Sequence, residues 1–170
     1  MPRIANWFIA LMAVTLQAST CLAQNSEQVK FYKLEFVLKE VEGGKVLNAR
    51  TYSVTSSSAS GKDAACSIRT GSKVPIPMSP NNPAFTYLDV GVSVDCYSIF
   101  ETQNGLSLRV SADVSSILQE GSEPTHPIVR QNKWTGNVIL PIKKPTVIFT
   151  SDDPASKRQM QFELTVTPLQ

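Results

Sequence analysis

Four stretches of this chain alternate apolar and polar residues with a period of two. In the first, Tyr32, Leu34, Phe36 and Leu38 are apolar, and Lys33, Glu35 and Lys39 lie on the opposite side. The second sets Leu88, Val90, Val92, Val94 and Cys96 against Asp89, Gly91, Ser93 and Asp95. The third sets Leu106, Leu108, Val110, Ala112 and Val114 against Ser107, Arg109, Ser111 and Asp113. The last sets Met160, Phe162, Leu164 and Val166 against Gln161, Glu163, Thr165 and Thr167. A strand turns successive side chains to opposite faces, so this period predicts strands with one buried and one wet face. That is the pattern of antiparallel sheets; a parallel sheet covered on both sides carries unbroken apolar runs. No segment shows the 3.6-residue pattern of an amphipathic helix. The expected fold is all-β, an antiparallel sandwich-like or open-barrel module with long hairpins.

Turn chemistry separates the runs. Glu42-Gly43-Gly44-Lys45 predicts a hairpin turn, and so does Gln103-Asn104-Gly105, where Asn-Gly supplies positive φ at low cost. Ser151-Asp152-Asp153-Pro154 is a further turn signal. Prolines 75, 77, 80 and 83 cluster in Val74–Ala84, which predicts a loop, because prolines remove donors from a sheet ladder. The expected central pairing is Leu88–Phe100 with Leu106–Leu118.

Residues 1–23 have the layout of a secretory signal peptide. Arg3 precedes an uncharged apolar stretch from Ile4 to Leu16, and Cys21 and Ala23 stand at −3 and −1 of the expected cut. That stretch is too short to span a hydrocarbon core of about 30 Å as a helix. An uncleaved anchor and a lipidated Cys21 are the alternatives; Ala18, where lipoprotein signals carry a large apolar residue, argues against the second. Residues 24–170 are then expected to form a single exported domain, periplasmic or secreted. Removing Arg3 from the 16 basic residues leaves 15 against 14 acidic ones. So even a balance argues against binding nucleic acid, which needs a clustered basic surface.

Two cysteines remain after the cut, Cys66 and Cys96, and an even count in an exported chain predicts a disulfide. It would close a loop of about 30 residues and contribute about 3–4 kcal/mol. The alternative is two buried free thiols. Together with the lone His126 these cysteines do not supply the ligand count or spacing of a metal site.

No catalytic set is visible. His126, the only histidine, lies between prolines in Pro124-Thr125-His126-Pro127 and is expected to be an exposed loop residue. Asp152 and Asp153 sit on a turn, where adjacent carboxylates point apart. Ser56–Gly61 is expected to be a polar loop, and no Gly-x-Ser-x-Gly elbow or phosphate-binding glycine loop is present. Lys143-Lys144-Pro145 and Lys157-Arg158 are expected to be solvated turn charges. Trp134 is either an exposed recognition aromatic or half-buried packing. The residues predict a protein that is not an enzyme and carries no cofactor.

The order of short segments resembles a known module. Thr70-Gly71-Ser72-Lys73-Val74-Pro75 is followed by Tyr87–Val94, then by Gly105-Leu106-Ser107-Leu108-Arg109-Val110. Pro127-Ile128-Val129-Arg130-Gln131, Thr135–Leu140 and the closing Phe162–Pro168 come next. This succession, over roughly residues 66–168, is similar to the C-terminal β-module of bacterial type II and type III secretion secretins. It departs from the family at Lys143-Lys144-Pro145-Thr146, which replaces a glycine-rich hairpin, and in the cysteine pair. The resemblance implies a small standalone exported module that acts through protein partners, as an accessory of a secretion or pilus apparatus. Unpaired strand edges would be its docking surfaces. Two alternatives stay open. One is an oligomeric outer-membrane pore component, which needs apolar outward faces where the best strand has Ser107, Arg109, Ser111 and Asp113. The other is a ligand-binding sandwich, which needs a deep apolar pocket.

Overall fold

The computed structural model describes residues 29–58, 65–79, 82–118, 128–154 and 156–169. Eight strands account for most of them: β1 (Phe31–Glu42), β2 (Lys45–Ser57), β3 (Cys66–Ser79), β4 (Asn82–Thr102), β5 (Gly105–Leu118), β6 (Ile128–Leu140), β7 (Thr146–Asp152) and β8 (Arg158–Leu169). No helix occurs among the described residues. The strands form two antiparallel four-stranded sheets, ordered β2-β1-β8-β7 and β3-β4-β5-β6, and the sheets do not close into a barrel. The all-β sandwich-like expectation is borne out.

The alternating residues build a single core between the sheets. Tyr32, Leu34, Phe36 and Leu38 of β1 and Phe162, Leu164 and Val166 of β8 are buried against Val92, Val94 and Cys96 of β4 and Leu106, Leu108 and Val110 of β5. The Phe36 and Phe162 rings stack with centroids 5.6 Å apart. The outer faces carry the charges: Lys39 pairs with Glu163 at 2.9 Å on one sheet, and Arg69 with Asp95 at 2.7 Å on the other. β1 and β8 pair along their whole length, from Phe31↔Leu169 to Glu42↔Arg158.

The turn at Gly43-Gly44 forms as expected, with φ of 56° and 80°, the left-handed conformation of a two-residue hairpin. The β4–β5 turn also forms, but positive φ falls on Gly105 (136°) and not on Asn104. Beside it β4 carries a bulge between Tyr97 and Phe100, with Ser98 at φ 50°. The extra residue reverses the alternation, so Ile99 is buried and Phe100 is 52% exposed.

The described part of the proline-rich stretch, Val74–Ser79 and Asn82–Ala84, is strand and not loop; Pro80 lies outside the described residues. β3 and β4 continue through it as a paired ribbon, with Val74↔Leu88, Pro75↔Tyr87, Ile76↔Thr86 and Pro77↔Phe85. Prolines are tolerated here because β3 is the sheet edge. Pro75 and Pro77 share a parity at which the missing N–H points away from β4, so no ladder bond is lost. Nor does the β4–β5 pairing reach Leu88 and Leu118; it stops at Val92↔Val114. There Gly71 and Gly91 face each other, and a Cβ on either would lie 2.3 or 2.2 Å from a carbonyl oxygen of the opposite strand. Beyond this crossing the β3–β4 ribbon runs on for about 33 Å, taking about ten residues at about 3.3 Å each.

Candidate functional site

The inner faces change character along the strands. Past the core, the inward row on β1 goes from Leu38 to Glu40, and on β2 from Tyr52 to Arg50 and Asn48. On β8 it goes from Met160 to Arg158, on β6 from Trp134 to Asn132 and Arg130, and on β5 from Val114 to Ser116. Polar residues in register on both sheets cannot close into a dry core, so the sandwich opens into a cleft of about 370 Å³. Its floor is Leu38, Val92, Val114 and Met160. The cleft lies at the end where the β1–β2 and β7–β8 hairpins turn, beside the departing β3–β4 ribbon.

One flank of the cleft is tied across the sheets. Arg130 Nη1 donates to Asp153 Oδ2 at 2.6 Å, and Ser151 Oγ donates to Asn132 Oδ1 at 3.2 Å. Gln159 Nε2 donates to Asp152 Oδ1 at 2.8 Å. On the other flank Arg50 and Arg158 form no ion pair among the described residues. The arrangement is a mixed-charge cleft with a small apolar floor, not the deep apolar pocket that a hydrophobic ligand needs. Among the described residues no cluster of three metal-ligating side chains occurs.

The opposite end is sealed by polar contacts. The buried Tyr32 hydroxyl donates to Glu101 Oε1, and Lys30 Nζ lies 2.6 Å from Glu101 Oε2. Burial, and then the bond to Glu101, push the Tyr32 hydroxyl up to about 12. The bonds from Lys30 and Tyr32 hold the Glu101 carboxyl below its ordinary value. On the outer face the bond to Asp95 raises Arg69, which grips that carboxylate with Nη2 at 2.8 and 2.7 Å.

The two cysteines are brought together. Cys66 and Cys96 lie directly opposite on β3 and β4, with Cα atoms 4.9 Å apart and sulfurs joined at 2.16 Å. The bond ties β3 to the central hairpin, where sequence placed it. Residues 1–23 and His126 lie outside the described residues. Asp153 is not merely a solvated turn residue, since Arg130 and Ser156 both donate to it. Ser56 is not part of a polar loop: it is buried at the end of β2, with its hydroxyl donating to the Ala65 carbonyl. Trp134 is half-buried packing, its ring 5.7 Å from Phe149 and against Gly136. Lys143, Lys144 and Lys157 are exposed turn charges. Sequence reasoning missed the cleft: Arg50, Arg130 and Arg158 belong to it only because of register, and register is a property of pairs.

No protein-family model matches the chain, and no curated protein matches it. Solved structures do. The chain is similar to InvG, the secretin of the Salmonella SPI-1 type III secretion injectisome, with 8% identity and a TM-score of 0.50 over 84% of this chain and 64% of that one. In the atomic model of the basal body proteins InvG, PrgH and PrgK from the same injectisome, the similarity again has 8% identity and a TM-score of 0.50, over 84% of this chain and 45% of that one. The type II secretin XcpQ of Pseudomonas aeruginosa gives 11% identity and 0.47, over 83% and 57%. The likeness to InvG, at a TM-score of 0.50, shows a secretin-like β fold. This chain spans just under two thirds of the InvG chain.

Proposed function

We propose that this protein is an exported, non-enzymatic β-domain that works by protein–protein contact, as an accessory of a cell-envelope secretion or pilus apparatus. The observation that carries the reading is the secretin-like fold over 84% of the chain. Its two sheets stop at open edges, β2 and β7 on one and β3 and β6 on the other. Edges of this kind recruit strands. On this reading residues 1–23 are cleaved and the rest is periplasmic or secreted.

The outer-membrane rival would need apolar outward faces at bilayer depth. Lys33, Glu35, Lys39 and Glu163 on one sheet and Arg69, Asp95 and Arg109 on the other favour a water-facing domain. The decisive experiment deletes the gene in the organism that makes the protein and follows a tagged copy. Loss of export or pilus assembly, with the tagged copy co-fractionating with a secretin complex, is the expected result. Unchanged export and no co-fractionation overturn the proposal. A heat-resistant multimer that needs detergent would select the pore reading instead.

A further inference from the structure

We infer that the free edge of β4, over residues 85–88, is a strand-addition site for a single extended, apolar segment of a partner protein. This names the edge and the kind of segment for the protein–protein contact proposed above, and rests on that reading. The backbone carries the argument. Along a strand, alternate residues turn both N–H and C=O to the same side. Gly91 N–H points towards β5, where it donates to Ser115 Oγ at 3.0 Å and not to a backbone carbonyl. That side-chain bond ends the ladder. By alternation the N–H and C=O of Phe85 and Tyr87 point to the same side, beyond the last β4–β5 pair, Val92↔Val114. Among the described residues nothing bonds them.

The other edge of the ribbon is closed to the same use. Pro75 and Pro77 lack the outward N–H that an added strand would need on β3. Strand addition is thus directed to one side. A cleft of about 480 Å³ opens where the split begins, next to that edge, with Lys73, Asp89 and Gly91 on one bank and Asp113, Ser115 and Gln131 on the other. The side chains beside the edge are ready for a partner. Phe85 is 56% and Tyr87 64% exposed on one face, with Leu88 and Val90 half-buried on the other. A segment with apolar residues at alternate positions would cover both sets. The flanking charges, Lys73 and Asp89, offset each other and favour an uncharged segment. The β5–β6 ribbon forms the far bank, so one slim strand fits. The β4 edge of a second copy would bring its own β5–β6 ribbon with it, which is bulkier than a single strand.

The test uses the full chain and a capped peptide of about ten alternating Val and Thr residues. Binding is expected to slow amide exchange at Phe85 and Tyr87. Tyr87→Pro removes a donor from the split while sparing the β3 ladder, because its opposite residue is already Pro75. It should weaken binding about tenfold or more. Should Tyr87→Pro misfold, a peptide N-methylated at alternate residues tests the same bonds against the unaltered protein and should not bind. No protection at about 1 mM peptide, or equal binding of the N-methylated peptide, overturns the inference. So does self-association of the protein that Tyr87→Pro abolishes, which would assign the edge to a second copy. None of these outcomes bears on the deletion phenotype, so the two proposals fail separately.

Discussion

Arg130 on β6 reaches Asp153 at the β7–β8 turn across 2.6 Å, joining an edge of one sheet to a hairpin end of the other. Ser156 Oγ donates to the same carboxylate oxygen at 2.6 Å. The two charged side chains are only 30% and 15% exposed. Arg130→Met would leave a poorly hydrated carboxylate short of a donor, at a cost of about 1–3 kcal/mol. A double-mutant cycle with Asp153→Asn, followed by urea denaturation, should give a coupling above about 0.5 kcal/mol. The same cycle on the exposed Lys33–Glu35 pair should give close to zero.

Reduction of the Cys66–Cys96 bond, or the double change to Ala, should cost about 3–4 kcal/mol, the loss expected for a loop of 30 residues. Thiol titration of the denatured protein should find neither sulfur free. Two reactive thiols, or equal stability with and without reductant, would count against the bond.

Tyr32 and Glu101 set both pH limits of the closed end. The Tyr32 hydroxyl titrates at about 12, above its ordinary 10.0, so the folded state holds the proton more tightly. Its contribution is whole below about pH 10 and is lost as pH rises through about 12. Glu101 is lowered, so its contribution is present at neutral pH and is lost as acid takes pH down through the folded value. Tyr32→Phe should remove a component near pH 12 from the tyrosinate absorbance titration. An unchanged titration would contradict the hydroxyl's placement.

Burial separates the phenylalanines. Phe36 and Phe162 stack in the core, and either change to Ala should cost about 3–5 kcal/mol. Phe85→Ala, on the ribbon, should stay within about 0.5 kcal/mol. Chemical denaturation of the three variants checks the ranking, and a costly Phe85→Ala would mean that the ribbon packs against something.

Sequence exposed what is local and hid what is relational. The alternation from Tyr32 to Leu38 and from Leu106 to Val114 gave up its buried face directly, because the side-chain period belongs to the strand itself. The Gly43-Gly44 turn was equally plain. The prolines misled because a missing donor matters only where a partner strand stands, and β3 has none on that side. Ile99 and Phe100 exchanged places through a bulge at Ser98, which carries no composition signal. Arg50 and Arg158 entered the cleft through their register with β1, a relation between residues far apart in the chain.

The pairing of β1 with β8, Phe31 against Leu169, also governs when the chain can fold. One of the longest-range contacts in the molecule runs through the middle of its first sheet, so loop closure comes late and the contact order is high. Without β8, β1 has only β2 beside it, and a lone hairpin is marginal in water. The β1–β2 hairpin then lacks its neighbour, and β8 is the strand that locks the first.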